Sequence, residues 1–249
     1  MQMELAGQAA LVTGAGRGIG AAIARQLATV GCDLALVDID PSGGVGPLAE
    51  ELRESGRRAI ALTADVSSMA DAERSVATVL REFGHLDILV CNAGSTRDAM
   101  IWKMTEQAWD EVMAVNLKGC FTCCRAVASV LRGQRHGRIV TIASINGLRG
   151  KVGQANYAAS KAGIMALTKS LARELGPSGV TVNCVAPGFI RSTMTAQLPA
   201  EIVSTAIAET ALGRMGEPDD VARVVAFLCS EGARHITGEV IKVDGGQYM

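Results

Sequence analysis

The sequence predicts an α/β fold built on one doubly wound, parallel, seven-stranded sheet with helices on both faces. Two observations carry this. Seven short β-type apolar runs alternate with longer segments whose apolar residues recur at three- and four-residue spacing. Strands separated by helices must run parallel with right-handed crossovers, and such a sheet is covered on both sides. The second observation is continuity: no repeat, low-complexity tract or Pro/Ser-rich linker interrupts the order across 249 residues, so 1–249 reads as a single domain. At 49% hydrophobic and 20% charged, it can bury a full core.

In chain order, the strand runs are "AALVTG" (9–14), "CDLALVD" (32–38), "RRAIALTAD" (57–65), "LDILVCNAG" (86–94), "HGRIVTIAS" (136–144), "GVTVNCVAPG" (179–188) and "EVIKVDGG" (239–246). The crossover helices are expected over 18–31, 46–56, 67–84, 105–133, 153–176 and 217–233. In open sheets of this kind ligands bind beyond the carboxyl ends of the strands, where the strand order reverses. The residues that follow each strand are therefore the candidate site.

Composition narrows the function. Net charge is −1 and the basic residues are scattered, which argues against nucleic-acid binding. The start, "MQMELAGQAALVTGAG", lacks a basic region followed by a long apolar run, and no stretch approaches eighteen uninterrupted apolar residues, so a cytoplasmic protein with no membrane partner is expected. Seven cysteines, mostly in apolar runs, read as small buried hydrophobes. Cys120, Cys123 and Cys124 form a CxxCC, but no second cysteine pair or histidine cluster accompanies it, and His85, His136 and His235 are scattered; no metal is expected.

After the first strand comes Thr13-Gly14-Ala15-Gly16-Arg17-Gly18-Ile19-Gly20, then an alanine-rich helix. The spacing is T-G-x-x-x-G-x-G; the commoner G-x-G-x-x-G fails at Ile19. Glycines let the backbone approach a pyrophosphate at a helix N-terminus, where free N–H groups favour an anion. The strand-turn-helix context suits a Rossmann-type dinucleotide site, although such turns also form for structural reasons alone. Asp38 ends the second strand, where a carboxylate accepts the adenosine-ribose hydroxyls and repels a 2′-phosphate. This favours NAD(H), with NADP(H) left open because Arg17 offsets some of the charge. Asp65 and Val66 after strand three, and Asn92, Ala93 and Gly94 after strand four, are further cofactor-facing candidates, each with an ordinary turn reading as well.

Tyr157 and Lys161 stand four apart in "YAASK", on one face of a helix, and Ser144 ends strand five. A phenol titrates near pH 10, and a nearby ammonium with a positive nicotinamide favours its ionised form. Tyrosine then serves as an acid or base, with serine hydrogen-bonding the carbonyl oxygen. A lone YxxxK reads better as a packed tyrosine and a solvated lysine; the nucleotide turn and the strand-end serine reverse that reading.

With "TGAGRGIG", "CNAG", Asn116 in "VNLKG", Ser144, "YAASK", "APG" at 186–188 and "ITGEVIKVDGG", the whole chain resembles the classical short-chain dehydrogenase/reductases. The resemblance implies an Asn116-Ser144-Tyr157-Lys161 tetrad, with Tyr157 as acid/base, Lys161 as its electrostatic partner and ribose anchor, and Asn116 holding a water. It also implies cofactor contacts by Pro187, Gly188 and Ile190. Cys91 departs from the asparagine that often precedes "NAG". Within the family, "TRDAMIWKMTEQAWDEVMAVNLKG", "RHGRIVTIASINGLRGKVGQANYAASKAG" and "VAPGFIRSTMT" resemble the 3-oxoacyl-acyl-carrier-protein reductases. That implies reduction of a 3-oxoacyl thioester to the (R)-3-hydroxy product, a homotetramer, and acyl-carrier-protein as a candidate partner, with Arg132, Arg135 and Arg173 as candidate docking residues. Such enzymes generally use NADPH, against which Asp38 stands. The alternatives are an NAD-dependent dehydrogenase of a small secondary alcohol, sugar or cyclic diol, and a non-catalytic NAD-binding subunit. Residues 189–213, small, apolar and interrupted by Pro199, are expected to form the substrate lid.

Overall fold

A computed structural model describes residues 5–40, 44–192, 195 and 199–249. Its strands are β1 (Ala9–Thr13), β2 (Asp33–Asp38), β3 (Ala59–Thr63), β4 (Ile88–Cys91), β5 (Gly137–Ile142), β6 (Val180–Pro187) and β7 (Val240–Val243). All pair in parallel, in the order β3-β2-β1-β4-β5-β6-β7. The order reverses between β1 and β4, which places the switch point over Thr13 and Cys91.

The helices are α1 (Gly18–Thr29), α2 (Val45–Glu54), α3 (Met69–Phe83), α4 (Glu106–Val112), α5 (Gly119–Gln134), α6 (Asn146–Arg149), α7 (Ala155–Leu175), α8 (Ala200–Ala208) and α9 (Pro218–Cys229). Each strand sends alternate residues to opposite faces. Ala10 and Val12 of β1 therefore join a core with α1, α2 and α9, while Ala9 and Leu11 join a second core with α3, α5 and α7. Both are filled mainly by Leu, Ile, Val, Ala and Cys.

The predicted helix over 105–133 is interrupted. Thr105 caps α4 by accepting from the Ala108 N–H at 3.1 Å, and between α4 and α5 lies a π turn, Met113–Lys118. Gly163 of α7 packs so closely here that a Cβ on it would lie 2.8 Å from Leu117. The helical run Glu106–Gln134 is long and apolar enough by composition to cross a bilayer, yet 44% of its apolar window is buried within the fold, where it packs on α3, α7 and β4. It is a core element here. The short α6 was not foreseen. Of the expected lid, α8 is described; Thr193, Met194, Ala196, Gln197 and Leu198 lie outside the described residues.

Candidate active site

The glycine turn leaves β1 and enters α1 without a side-chain cap or an acidic residue in the first turn, so the leading N–H groups of α1 have no anionic side chain of their own. Gly14 has φ +62°, in the left-handed region, and a Cβ on Gly20 would lie 2.1 Å from the Gly14 carbonyl oxygen. The turn closes only with glycine at both positions. Asn92 stitches it to β4, donating through Nδ2 to the carbonyls of Thr13 (3.0 Å) and Gly14 (2.9 Å). In return the Thr13 hydroxyl accepts from the Asn92 and Ala93 N–H groups at 3.0 and 3.1 Å. The carboxylate of Asp38 stands beside this turn, accepting from Gly16 N–H at 3.1 Å and Ile39 N–H at 2.8 Å.

Gly16, Arg17 and Gly18 open onto a cleft of about 640 Å³ that also touches Gly44, Glu217 and Pro218; Arg17 is exposed. Ile19 is partly buried against the α1 core. Asp65 accepts from Ser67 N–H at 2.8 Å, so its carboxylate shapes the turn after β3. Val66 is tied to α5 by the Thr122 hydroxyl and fits only because residue 119 is glycine, where a Cβ would lie 2.6 Å from it. Pro187 accepts from Ile145 N–H at 3.0 Å, Gly188 donates to Val243 at 3.0 Å, and Ile190 bridges Gly216. The predicted cofactor residues thus line the carboxyl edge of the sheet. An uncapped helix start, a turn that excludes side chains and an acidic residue ending β2 suit a dinucleotide.

The tetrad converges on the same edge. Ser144 follows β5 and is buried; its oxygen accepts from Asn146 N–H at 3.2 Å. Tyr157 stands in the first turn of α7, one turn before Lys161. The Lys161 Nζ, also buried, donates to the Ile142 carbonyl at 2.9 Å and lies 5.5 Å from the centre of the Tyr157 ring. Asn116 sits in the π turn. Its Oδ1 accepts from Ser95 N–H at 2.8 Å, and its Nδ2 donates to the Ser95 carbonyl and the Ser160 hydroxyl, both at 3.0 Å. A Cβ on Gly94 would lie 3.3 Å from Asn116 Oδ1 and 3.4 Å from Lys161 Nζ, so both groups stand close against the loop after β4. Most of the Asn116 amide is spent holding that loop against α7, with one acceptor position on Oδ1 left over.

Electrostatics differ from the expectation in one respect. Burial raises the Tyr157 phenol above its ordinary value, partly opposed by the hydrogen bond with Ser144. Without cofactor, the lysine does not override burial, and the phenol stays protonated at neutral pH. Burial also pulls Lys161 down to about 8, with the nearby Cys120 and Cys184 opposing it.

Beside Ser144 opens a second cleft, of about 560 Å³, walled by Ile145, Phe189, Ile202 and Ala206 and rimmed by Arg149 and Lys151. Arg149 pairs with Glu209, just past α8, at 3.0 Å. Gln247 donates to the same carboxylate at 3.0 Å and accepts from Phe189 N–H at 3.0 Å. Sequence reading passed over Arg149, Glu209 and Gln247, because they come from three distant segments. Arg132, Arg135 and Arg173 are exposed but lie where α5 and α7 finish, at the opposite edge of the sheet: the Arg135 carbonyl packs against Gly179, just before β6 begins.

A dinucleotide turn at the switch point, with serine, tyrosine and lysine meeting beside it, defines a nicotinamide-dependent oxidoreductase. The family model described as "Enoyl-(Acyl carrier protein) reductase" matches residues 14–247. The 3-oxoacyl-[acyl-carrier-protein] reductase FabG of Staphylococcus aureus (strain Mu50) is 44% identical over 242 residues, 97% of this chain and 98% of that protein. Those of Vibrio cholerae and Escherichia coli (strain K12) are 43% and 42% identical over 247 residues, 99% of this chain and all of each relative. The chain belongs to the short-chain dehydrogenase/reductase family.

Proposed function

We propose that this chain reduces a 3-oxoacyl thioester, on acyl-carrier-protein or CoA, to the (R)-3-hydroxyacyl product with NADH. The observation that carries the reading is whole-length identity of 42–44% to relatives named for that reaction. The cleft beside Ser144 supports it by offering room for an acyl chain along Ile145, Phe189, Ile202 and Ala206. When bound, the nicotinamide supplies the hydride. Gly14, Gly16, Arg17, Gly18 and Ile19 would hold the pyrophosphate side, Asp38 the adenosine ribose, and Lys161 the nicotinamide ribose. Ser144 hydrogen-bonds the substrate oxygen, and Tyr157 donates its phenolic proton to that oxygen as negative charge develops there. The raised phenol pKa keeps that proton in place for the reductive direction. The charge of Lys161 then stabilises the phenolate left behind.

Rates with acetoacetyl-CoA measured against a panel of secondary alcohols, sugars and cyclic diols test this reading. Turnover of the thioester far above the panel supports it, and the reverse pattern installs the alcohol dehydrogenase instead.

The lysine adds a pH signature. With its folded pKa at about 8, Lys161 is charged below that value and neutral above it. Because kcat/KM reports groups of the free enzyme, kcat/KM for carbonyl reduction should fall as pH rises through about 8. Linkage has the opposite sign: the unfolded chain keeps this proton up to 10.5, so the stability contribution of Lys161 improves between about 8 and 10.5. A flat profile of kcat/KM across that window would remove the lysine's charge from the rate.

The reading includes a cytoplasmic homotetramer. Trp109 on α4 and Phe121 on α5 expose large apolar side chains, which a partner subunit would cover. Light scattering should return about four times the 25.9 kDa chain mass; a monomer at micromolar concentration would count against it. Because Arg132, Arg135 and Arg173 face away from their own cleft, they would meet acyl-carrier-protein only at a neighbouring subunit's site.

A further inference from the structure

The reaction makes no use of the CxxCC stretch, and folding adds to it a sulfur that spacing could not show. Cys91 closes β4 with its side chain on the α5 side of the sheet. There the Sγ atoms of Cys91, Cys120 and Cys124 all lie within 4.8 Å of one another. Cys120 and Cys124 are one helical turn apart and share a face, and the Cys91 and Cys124 sulfurs are 3.9 Å apart. All three are free thiols, 6%, 5% and 2% exposed, so bulk water does not reach the set. Among the described residues, no carboxylate or imidazole joins the cluster.

We propose that Cys91, Cys120 and Cys124 form a binding site for trivalent arsenic, held as a tris-thiolate between β4 and α5. The donor set is sulfur alone, which selects soft, thiophilic elements. A structural zinc site normally takes four ligands in a closed tetrahedron; here three sulfurs are mutually close, and Cys123, whose thiol interacts with Cys91, lies outside that group. Net charge then separates the soft candidates. Three thiolates on a monovalent copper ion leave uncompensated negative charge in an apolar core, which is costly. Three thiolates on trivalent arsenic leave none. Each thiol passes its proton to one hydroxyl of arsenous acid: three As–O bonds break, three As–S bonds form, three waters leave, and no element changes oxidation state. Burial makes entry slow, through local opening of the β4–α5 contact.

The test incubates fully reduced protein with arsenite in the presence of excess glutathione, then desalts it for native mass spectrometry. The expected mass gain is one arsenic less three hydrogens per chain. Cys91→Ala and Cys124→Ala should each lose this retention, because the two sulfurs left cannot close a three-sulfur shell against excess glutathione, while Cys32→Ala and Cys229→Ala, buried elsewhere, keep it. Arsenic K-edge absorption of the loaded wild type needs no variant: a shell of three sulfurs and no oxygen is expected. No uptake by fully reduced protein, retention unchanged in folded Cys124→Ala, or a mixed sulfur–oxygen shell would each overturn the assignment. So would stable retention of copper(I) in a chain that refuses arsenite, since charge neutrality would then not be the deciding factor.

Discussion

Tyr157→Phe lowers turnover by about 10²- to 10⁴-fold, the usual contribution of a general acid, and leaves cofactor affinity nearly intact. Phenylalanine keeps the ring that Lys161 approaches and removes only the hydroxyl bonded to Ser144. Nothing at the glycine turn or at Asp38 changes. The measurement pairs steady-state kcat with a fluorescence titration of NADH. Wild-type turnover in the variant would take Tyr157 out of the mechanism; a parallel loss of NADH binding would instead assign it a role in holding the site together.

Asp38→Ser narrows the preference for NADH over NADPH, which in the wild type should be substantial. A charged hydrogen bond contributes on the order of 1.5–3 kcal/mol, so its loss with a 2′-phosphate corresponds to roughly a 10- to 100-fold difference, before like-charge repulsion is added. One Asp38 oxygen is already engaged by the Gly16 N–H and the other by Ile39. The carboxylate is therefore held in place before any ribose arrives, and it keeps further acceptor capacity on both oxygens. Arg17, exposed in the adjoining turn, would attract a phosphate and keep the preference short of absolute. The ratio of kcat/KM for the two cofactors, in wild type and variant, decides the matter. A wild type that prefers NADPH would overturn the assignment.

Most of the sheet and much of the candidate site were legible in the sequence because they depend on local chemistry. Seven apolar runs found their strands, and the spacing of the glycines fitted a turn that steric contact independently requires at Gly14 and Gly20 and a positive φ favours at Gly18. Tyr157 and Lys161 share a face through helix geometry alone. What escaped is non-local. Periodicity over 105–133 has no marker for the π turn that holds Asn116, because its residues are ordinary helix formers and close packing of Gly163 against Leu117 accompanies the distortion. Cys91 looked like an isolated departure from a motif until β4 was laid against α5. The fall of Arg132, Arg135 and Arg173 at the far edge was equally invisible, since it follows from helix direction in a parallel sheet.

The position of Gln247 has a practical side. This one amide clasps both flanks of the 189–213 segment, Phe189 through its oxygen and Glu209 through its nitrogen. One side chain remote in sequence from both partners thus works as a keystone of the cleft beside Ser144, and a change at position 247, such as Gln247→Ala, acts directly on the wall facing that serine.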